Sequence, residues 1–208
     1  MIDSTTLFTY LAVVLGFAFI PGPAVLMTLT RAASSGVKIG IATGLGIAIG
    51  DLIHTSMVVF GLSAIVMRSL LLFSFVKYLG AAYLIYLGYR AITNKSKIHG
   101  LPQQAQITPL DALKQGAIAE VLNPKSAFFF LSFLPQFVDP SAGAISSQLL
   151  VLGLSFVLIG LLSTAVYASF AGGIGRYLRR HPDVLRWKDR AVGGIFITLG
   201  VRLAAQKR

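Results

Sequence analysis

Cysteine is absent from this chain of 208 residues, histidine occurs three times, and acidic residues occur only seven times. Without cysteine there is no disulfide framework, no thiolate nucleophile and no ligand set for a soft metal. His54, His99 and His181 are scattered, and neither a His-Glu-x-x-His pair nor a Gly-x-Ser-x-Gly elbow occurs. A nucleophile with its base cannot be assembled from these residues, so enzymatic activity is not expected, and neither is a metal or another cofactor. No Walker-type loop is present, which excludes work driven by this chain's own ATP hydrolysis. Charge itself is scarce, at 12% of residues. A water-soluble domain carries about 25%, so there is too little polar surface to cover a soluble globule.

What the chain has instead is apolar sequence: 55% of residues are hydrophobic, and the mean hydropathy is +0.78. The reading is an integral membrane protein whose surroundings are lipid. At roughly 20 apolar residues per crossing, the length has room for about six transmembrane helices in one domain spanning residues 1–208. The net charge of +11 comes from short basic clusters between apolar runs. Such clusters do not make the continuous patch that nucleic acid requires; they are topology signals, and nucleic acid is not an expected partner.

Apolar runs predict spans near 5–30, 38–66, 70–92, 112–137, 146–175 and 189–205. The first begins after Asp3 and is too long for a signal-peptide core, so it is expected to remain as a span. Arg31 and Lys38 follow the first span, Arg90, Lys95, Lys97 and Lys114 lie between the third and fourth, and Arg176 to Arg190 follow the fifth. Those connections belong on the cytoplasmic side, which puts both termini outside. The connection around Asp139 has no basic residue and fits the outer side.

Two predicted spans contain helix breakers: Pro21-Gly22-Pro23 in the first and Asn123-Pro124 in the fourth. Proline removes a backbone donor, and the freed carbonyls must then face protein or water rather than lipid. Both helices are expected to be broken at depth. Leu87-Gly88-Tyr89-Arg90 in the third span recurs as Leu199-Gly200-Val201-Arg202 in the sixth, and Ala81-Ala82 falls opposite Gly193-Gly194. With the paired breakers, this predicts an all-α fold of two inverted three-helix repeats, 1–93 and 112–208, joined by a polar cytoplasmic linker over 94–111.

Asp51 lies with His54 near the middle of the second span, amid Gly40, Gly44, Gly46 and Gly50. An aspartate at that depth costs about 2.5–3.5 kcal/mol on insertion scales unless it meets a cavity or a partner. It reads as a cavity-facing carboxylate that binds an ammonium group, a proton or each in turn; the alternative is an anchor paired with His54 or a lysine. The glycines read as close-packing positions and allow either intramolecular packing or a homodimer. The half-helix after Pro21-Gly22-Pro23 would begin with amide donors and a positive dipole end suited to a carboxylate, with a hinge as the alternative. Asn123 can cap the half-helix after Pro124, and Lys125 can neutralise an acid or snorkel to an interface. Glu120 is a second acid for proton coupling, unless its half-helix sits near the cytoplasmic surface. Ser155, Ser163, Thr164 and Tyr167 in the fifth span read as helix-packing polar groups with no specific role.

These residues also carry a resemblance. Pro21-Gly22-Pro23 followed by Leu26 and Ser35-Gly36, Gly50-Asp51, Lys77-Tyr78-Leu79-Gly80-Ala81-Ala82-Tyr83-Leu84, Asn123-Pro124-Lys125 and Leu134-Pro135-Gln136-Phe137 occur in order over nearly the whole chain. Together they resemble the LysE/RhtB amino-acid exporters, nearest to the homoserine/threonine/leucine branch. The resemblance implies a multi-pass carrier of the bacterial inner membrane. It would expel amino acids or close derivatives of the threonine, homoserine, homoserine lactone or leucine type in exchange for protons. Other expectations are an exporter of another small metabolite or cation, or a non-transporting membrane protein in which breaks and charges serve packing. On the exporter reading the substrate site comprises Pro21, Gly22, Pro23, Asp51, Asn123, Pro124 and Lys125, with Asp51, His54 and Glu120 as candidates for proton coupling.

Overall fold

The computed structural model describes residues 2–18, 22–62, 70–93 and 107–171, with 190, 193–194, 197–198, 200–201 and 204–205. Pro21, most of the expected linker and the basic cluster from Arg176 to Lys188 lie outside the described residues, as does much of the expected sixth span. Among the described residues there is no strand. The helices are α1 (Ser4–Ala18), α2 (Pro23–Ser35), α3 (Val37–Met57), α4 (Leu70–Thr93), α5 (Pro109–Val121), α6 (Pro124–Phe128) and α7 (Ile145–Ser169). A π-helical turn, Val58–Leu62, continues α3, and Phe129–Phe133 and Leu134–Phe137 continue α6 as π and 3-10 turns.

Local chemistry places the helix ends. Asp3 caps α1 by accepting from the amides of Thr5 and Thr6. Thr108 caps α5, accepting from the Asp111 amide at 3.2 Å while its hydroxyl donates to the Asp111 carboxylate at 2.6 Å. Gly36 turns the chain from α2 into α3 at φ +94°, a backbone conformation that strains any residue with a Cβ.

Two helices are long and apolar enough to cross a membrane unaided, Val37–Gly61 and Ile145–Ser169. Two bent pairs, α1 with α2 at 48° and Pro109–Val121 with Lys125–Phe137 at 50°, have the length and composition of a broken span or a re-entrant loop, so that the described residues hold two to four candidate spans. The breaks fall at the two proline motifs, as the sequence predicts. The protein is therefore a multi-pass helical membrane protein. Its outer surface fits lipid: Phe8, Phe60, Leu158 and Leu162 are all exposed.

α3 sits at the centre, against α5, α7 and α2. Its glycines let the neighbours approach. A Cβ on Gly46 would fall on the Leu113 carbonyl oxygen of α5, one on Gly50 would lie 2.6 Å from the Glu120 Cβ, and one on Gly44 would lie 2.7 Å from the Thr164 hydroxyl of α7. Of the two roles the sequence left open for these glycines, intramolecular packing is where these three are used. α4 lies against the described part of the last helix by a reciprocal contact: Gly88 faces the Gly193 carbonyl, and Gly200 faces the Ala81 carbonyl.

An aromatic core closes the space between α1, the continuation of α6 and α7. Tyr10, Phe129, Phe130, Phe133 and Phe156 are buried there, and the Tyr10 hydroxyl donates to the Leu152 carbonyl at 2.8 Å. The Phe128-Phe129-Phe130 run is thus mainly packing. Beyond it, the Ser141 amide and hydroxyl both donate to Asp139 in the α6–α7 connection and hold its carboxyl below the usual carboxylate range.

Arg31 departs from its expected place in a cytoplasmic loop. α2 runs on to Ser35, and Arg31 is buried inside it. Its guanidinium donates to the Ala112 carbonyl at 3.1 Å and to Gln115 Oε1 at 2.6 Å on α5, and to the Thr43 hydroxyl of α3 at 3.4 Å. All three are neutral acceptors, so the long side chain folds back onto helix backbone and side-chain oxygens instead of reaching water.

Candidate functional site

The two breaks and the middle of α3 meet at one cavity of about 60 Å³. Gly22 to Val25 bring the start of α2, Ile47 and Asp51 bring α3, and Glu120, Asn123, Lys125 and Ser126 bring the second break. The far wall is one face of α7, with Phe156, Gly160, Ser163 and Thr164, and the end of α1 adds Phe17 and Ala18. The lining thus combines the charged and polar groups of Asp51, Glu120, Asn123, Lys125 and Ser126 with the rings of Phe17 and Phe156.

Asp51 and Glu120 are 3% exposed each. Their carboxyls lie close enough to interact by charge, with Lys125 as the neighbouring cation. Gly50 permits this, since its missing side chain lets the α5 backbone carry Glu120 alongside Asp51. The two acids differ in their other partners. Glu120 receives hydrogen bonds from the Ser126 hydroxyl and from Asn123 Nδ2, the latter at 3.3 and 3.4 Å to its two oxygens. Asp51 Oδ1 is buried with no partner. An acceptor left bare in such a place costs about 1–3 kcal/mol.

The two half-helices also differ at their starts. Asn123 caps α6 with its own side chain, accepting from the Lys125 amide at 3.1 Å. At α2 the cap position is Gly22, which has no side chain to offer, and no side chain caps this end. The first-turn amides of α2 and the positive end of its dipole thus border the cavity without a built-in acceptor. Lys125 is beside them: a Cβ on Gly22 would lie 2.9 Å from the Lys125 ammonium, which also sits over the Phe17 ring, 3.9 Å from its centroid.

Of the residues predicted from sequence, Gly22, Pro23, Asp51, Glu120, Asn123 and Lys125 are brought together at the cavity. Pro124 begins α6 directly behind Asn123. Pro21 lies outside the described residues. His54 is buried one turn beyond Asp51, where its Nε2 donates to the Glu120 backbone carbonyl at 3.0 Å and its ring stacks on Phe130. It is not among the cavity-lining residues; what it holds is the end of α5.

Sequence reasoning passed over the α7 wall. Phe156, Gly160, Ser163 and Thr164 share one helical face by spacing, but spacing does not say what that face looks at. The Ser163 hydroxyl donates at 2.7 Å to the Ala18 carbonyl, at the end of α1 next to the first break. Ser126 is three residues after Asn123 and so sits on the same side of that turn, a signal that was readable.

Among the described residues no group of three or more His, Cys, Asp or Glu could hold a metal. The chain is similar to membrane proteins of bacteria along nearly its full length. An uncharacterised membrane protein of Vibrio cholerae is 29% identical over 198 residues, which cover 95% of this chain and 96% of that one. The leucine efflux protein of an Enterobacter species is 28% identical, covering 95% of this chain and 94% of that protein. The leucine efflux protein of Salmonella typhimurium is 26% identical, covering 94% and 93%. No solved structure matches. The family model described as LysE type translocator matches residues 15–207.

Proposed function

This chain belongs to the LysE type translocator family, and from that premise we propose that it is a secondary exporter of amino acids or close derivatives of the threonine, homoserine, homoserine lactone or leucine type, working as a proton antiporter in the bacterial inner membrane. The leucine efflux relatives support the substrate class. The observation that carries the reading is the cavity's pairing of opposites: the Asp51 carboxyl on one helix, and an uncapped helix start with a lysine ammonium on another.

An amino acid is a zwitterion and needs two such contacts in one dry site. Asp51 takes the ammonium group. The α2 amides after Pro21-Gly22-Pro23, with Lys125, take the carboxylate. The Asn123-Pro124 break serves differently, because its amides are already capped: Asn123 and Ser126 hold Glu120 in place beside Asp51. Two buried carboxyls side by side favour sharing one proton over both being charged. When a substrate ammonium docks on Asp51, that proton is no longer required there and can leave, and this exchange is the coupling step. His54 steadies the Glu120 end of α5. The apolar wall of Phe17 and Phe156 receives the substrate's side chain.

Alternating access follows from rocking one inverted repeat against the other. The reciprocal contact of Gly88 with Gly193 and Gly200 with Ala81 supports this arrangement, because two equivalent surfaces meet through equivalent positions, as across a twofold axis. Six spans with both termini outside complete the proposed topology.

The test is efflux from proteoliposomes loaded in turn with neutral and basic amino acids, with and without an imposed proton gradient. Saturable, gradient-dependent efflux of neutral amino acids is expected. No efflux of any of them from folded protein would overturn the reading and leave another metabolite, a cation or a non-transporting role.

A further inference from the structure

On α7, most of the cavity face is filled. Phe156 contributes a ring, Ser163 is tied to the Ala18 carbonyl, and Thr164 bonds back to its own helix at the Gly160 and Leu161 carbonyls. Gly160 is the gap in the middle of that face. Other glycines of the central helices have none to spare: added Cβ atoms at Gly44, Gly50 and Gly153 would collide with Thr164, Glu120 and Thr55. A Cβ at Gly160 would meet one atom within 4 Å, Asp51 Oδ2, at an ordinary contact distance of 3.6 Å. Its bare backbone therefore leaves open space directly across from the acid, one turn from the Phe156 ring.

We propose that Gly160 is a specificity-determining residue: the space it leaves sets the largest side chain that a neutral amino-acid substrate can carry. The proposal rests on the exporter reading. A substrate whose ammonium is on Asp51 has its α-carbon opposite Gly160, and its side chain extends along α7 toward Phe156. In a cavity of about 60 Å³, each carbon added to the wall is taken from the substrate. Because a Cβ at this position meets nothing closer than ordinary contact, Gly160→Ala is compatible with the native packing, and Gly160→Val narrows the space further.

The experiment measures efflux and counterflow of alanine, threonine, valine and leucine by wild type, Gly160→Ala and Gly160→Val in proteoliposomes. Ligand-induced shifts in melting temperature in detergent report binding and folding independently of transport. Leu158→Ala, on the exposed side of the same helix, is the control. Gly160→Ala is expected to reduce leucine transport about tenfold relative to alanine, and Gly160→Val to extend the loss to valine, since one methylene in an apolar pocket discriminates by about 10–200-fold. Leu158→Ala should keep the wild-type order of substrates. An equal loss for all four substrates, in transport and in thermal shift, overturns the proposal and assigns the effect to Asp51. An unchanged order and rate overturns it as well. If wild type moves none of the four, the exporter reading fails first and takes this proposal with it.

Discussion

At the residue scale, the cavity's two carboxyls are not equivalent. Glu120 has donors from Ser126 and Asn123, and Asp51 Oδ1 has none. Asp51→Asn removes the second buried acid and offers Glu120 an amide donor, so it should leave the melting temperature in detergent equal or higher while transport and its pH dependence are lost. Glu120→Gln should lower stability instead, by about 1–3 kcal/mol, because an amide nitrogen now meets the Ser126 or Asn123 donors. Thermal unfolding beside proteoliposome efflux checks both, and a more stable Glu120→Gln would sink this division of roles. Sequence alone made Asp51 conspicuous because an acid inside an apolar run is costly. It did not make Glu120 equally conspicuous, since position relative to the membrane surface depends on how α5 lies against α3.

At the element scale, the two breaks look alike in sequence and differ in construction. Asn123 supplies a cap for its own half-helix, and Gly22 leaves its half-helix open. Below the cavity, Arg31 joins α2 to α3 and α5, linking the half-helix after the first break to the one before the second. Three acceptors on two helices fit a planar, forked guanidinium and not a compact ammonium. Arg31→Ala should therefore lower stability by about 3–6 kcal/mol, at roughly 1.5–3 kcal/mol for each of the two good bonds to a charged donor and little for the 3.4 Å contact, and Arg31→Lys should recover little of it. Unfolding of the purified variants in detergent measures this; full recovery by lysine would show that charge rather than shape matters. The expectation that Arg31 marks a loop failed for a physical reason. Charge rules count basic residues near span ends, and they do not see that a guanidinium's terminal nitrogens can bond oxygens on neighbouring helices, here at the cost of a buried Nε without a partner.

At the scale of the whole molecule, orientation is the property the basic clusters address. The chain has no cysteine, so single substitutions report cleanly. Ser141→Cys, in the exposed connection between α6 and α7, should react with an impermeant maleimide in intact cells. Ser34→Cys, near the end of α2, should react only after the membrane is opened. The reverse pattern would invert the proposed topology. The same arrangement predicts that Gly88→Val and Gly200→Val destabilise to similar extents in thermal unfolding, since each pushes on the partner helix at a matching contact. A large effect from one and none from the other would count against inverted repeats.

What the sequence determined by itself was solvent and punctuation. Apolar runs with scarce charge require lipid around them, and prolines inside those runs require broken helices, because both follow from local backbone chemistry. Ordered motifs over nearly the full length pointed to the family that the family model also matches. Tertiary structure decided which groups meet. It set Glu120 beside Asp51 across Gly50, put the Lys125 ammonium at the open start of α2, buried Arg31 between three helices, and turned the Gly160 gap toward the cavity. Those outcomes depend on the relative rotation and approach of helices distant in the chain. Periodicity shows that a helix has a face, and only packing shows what that face sees.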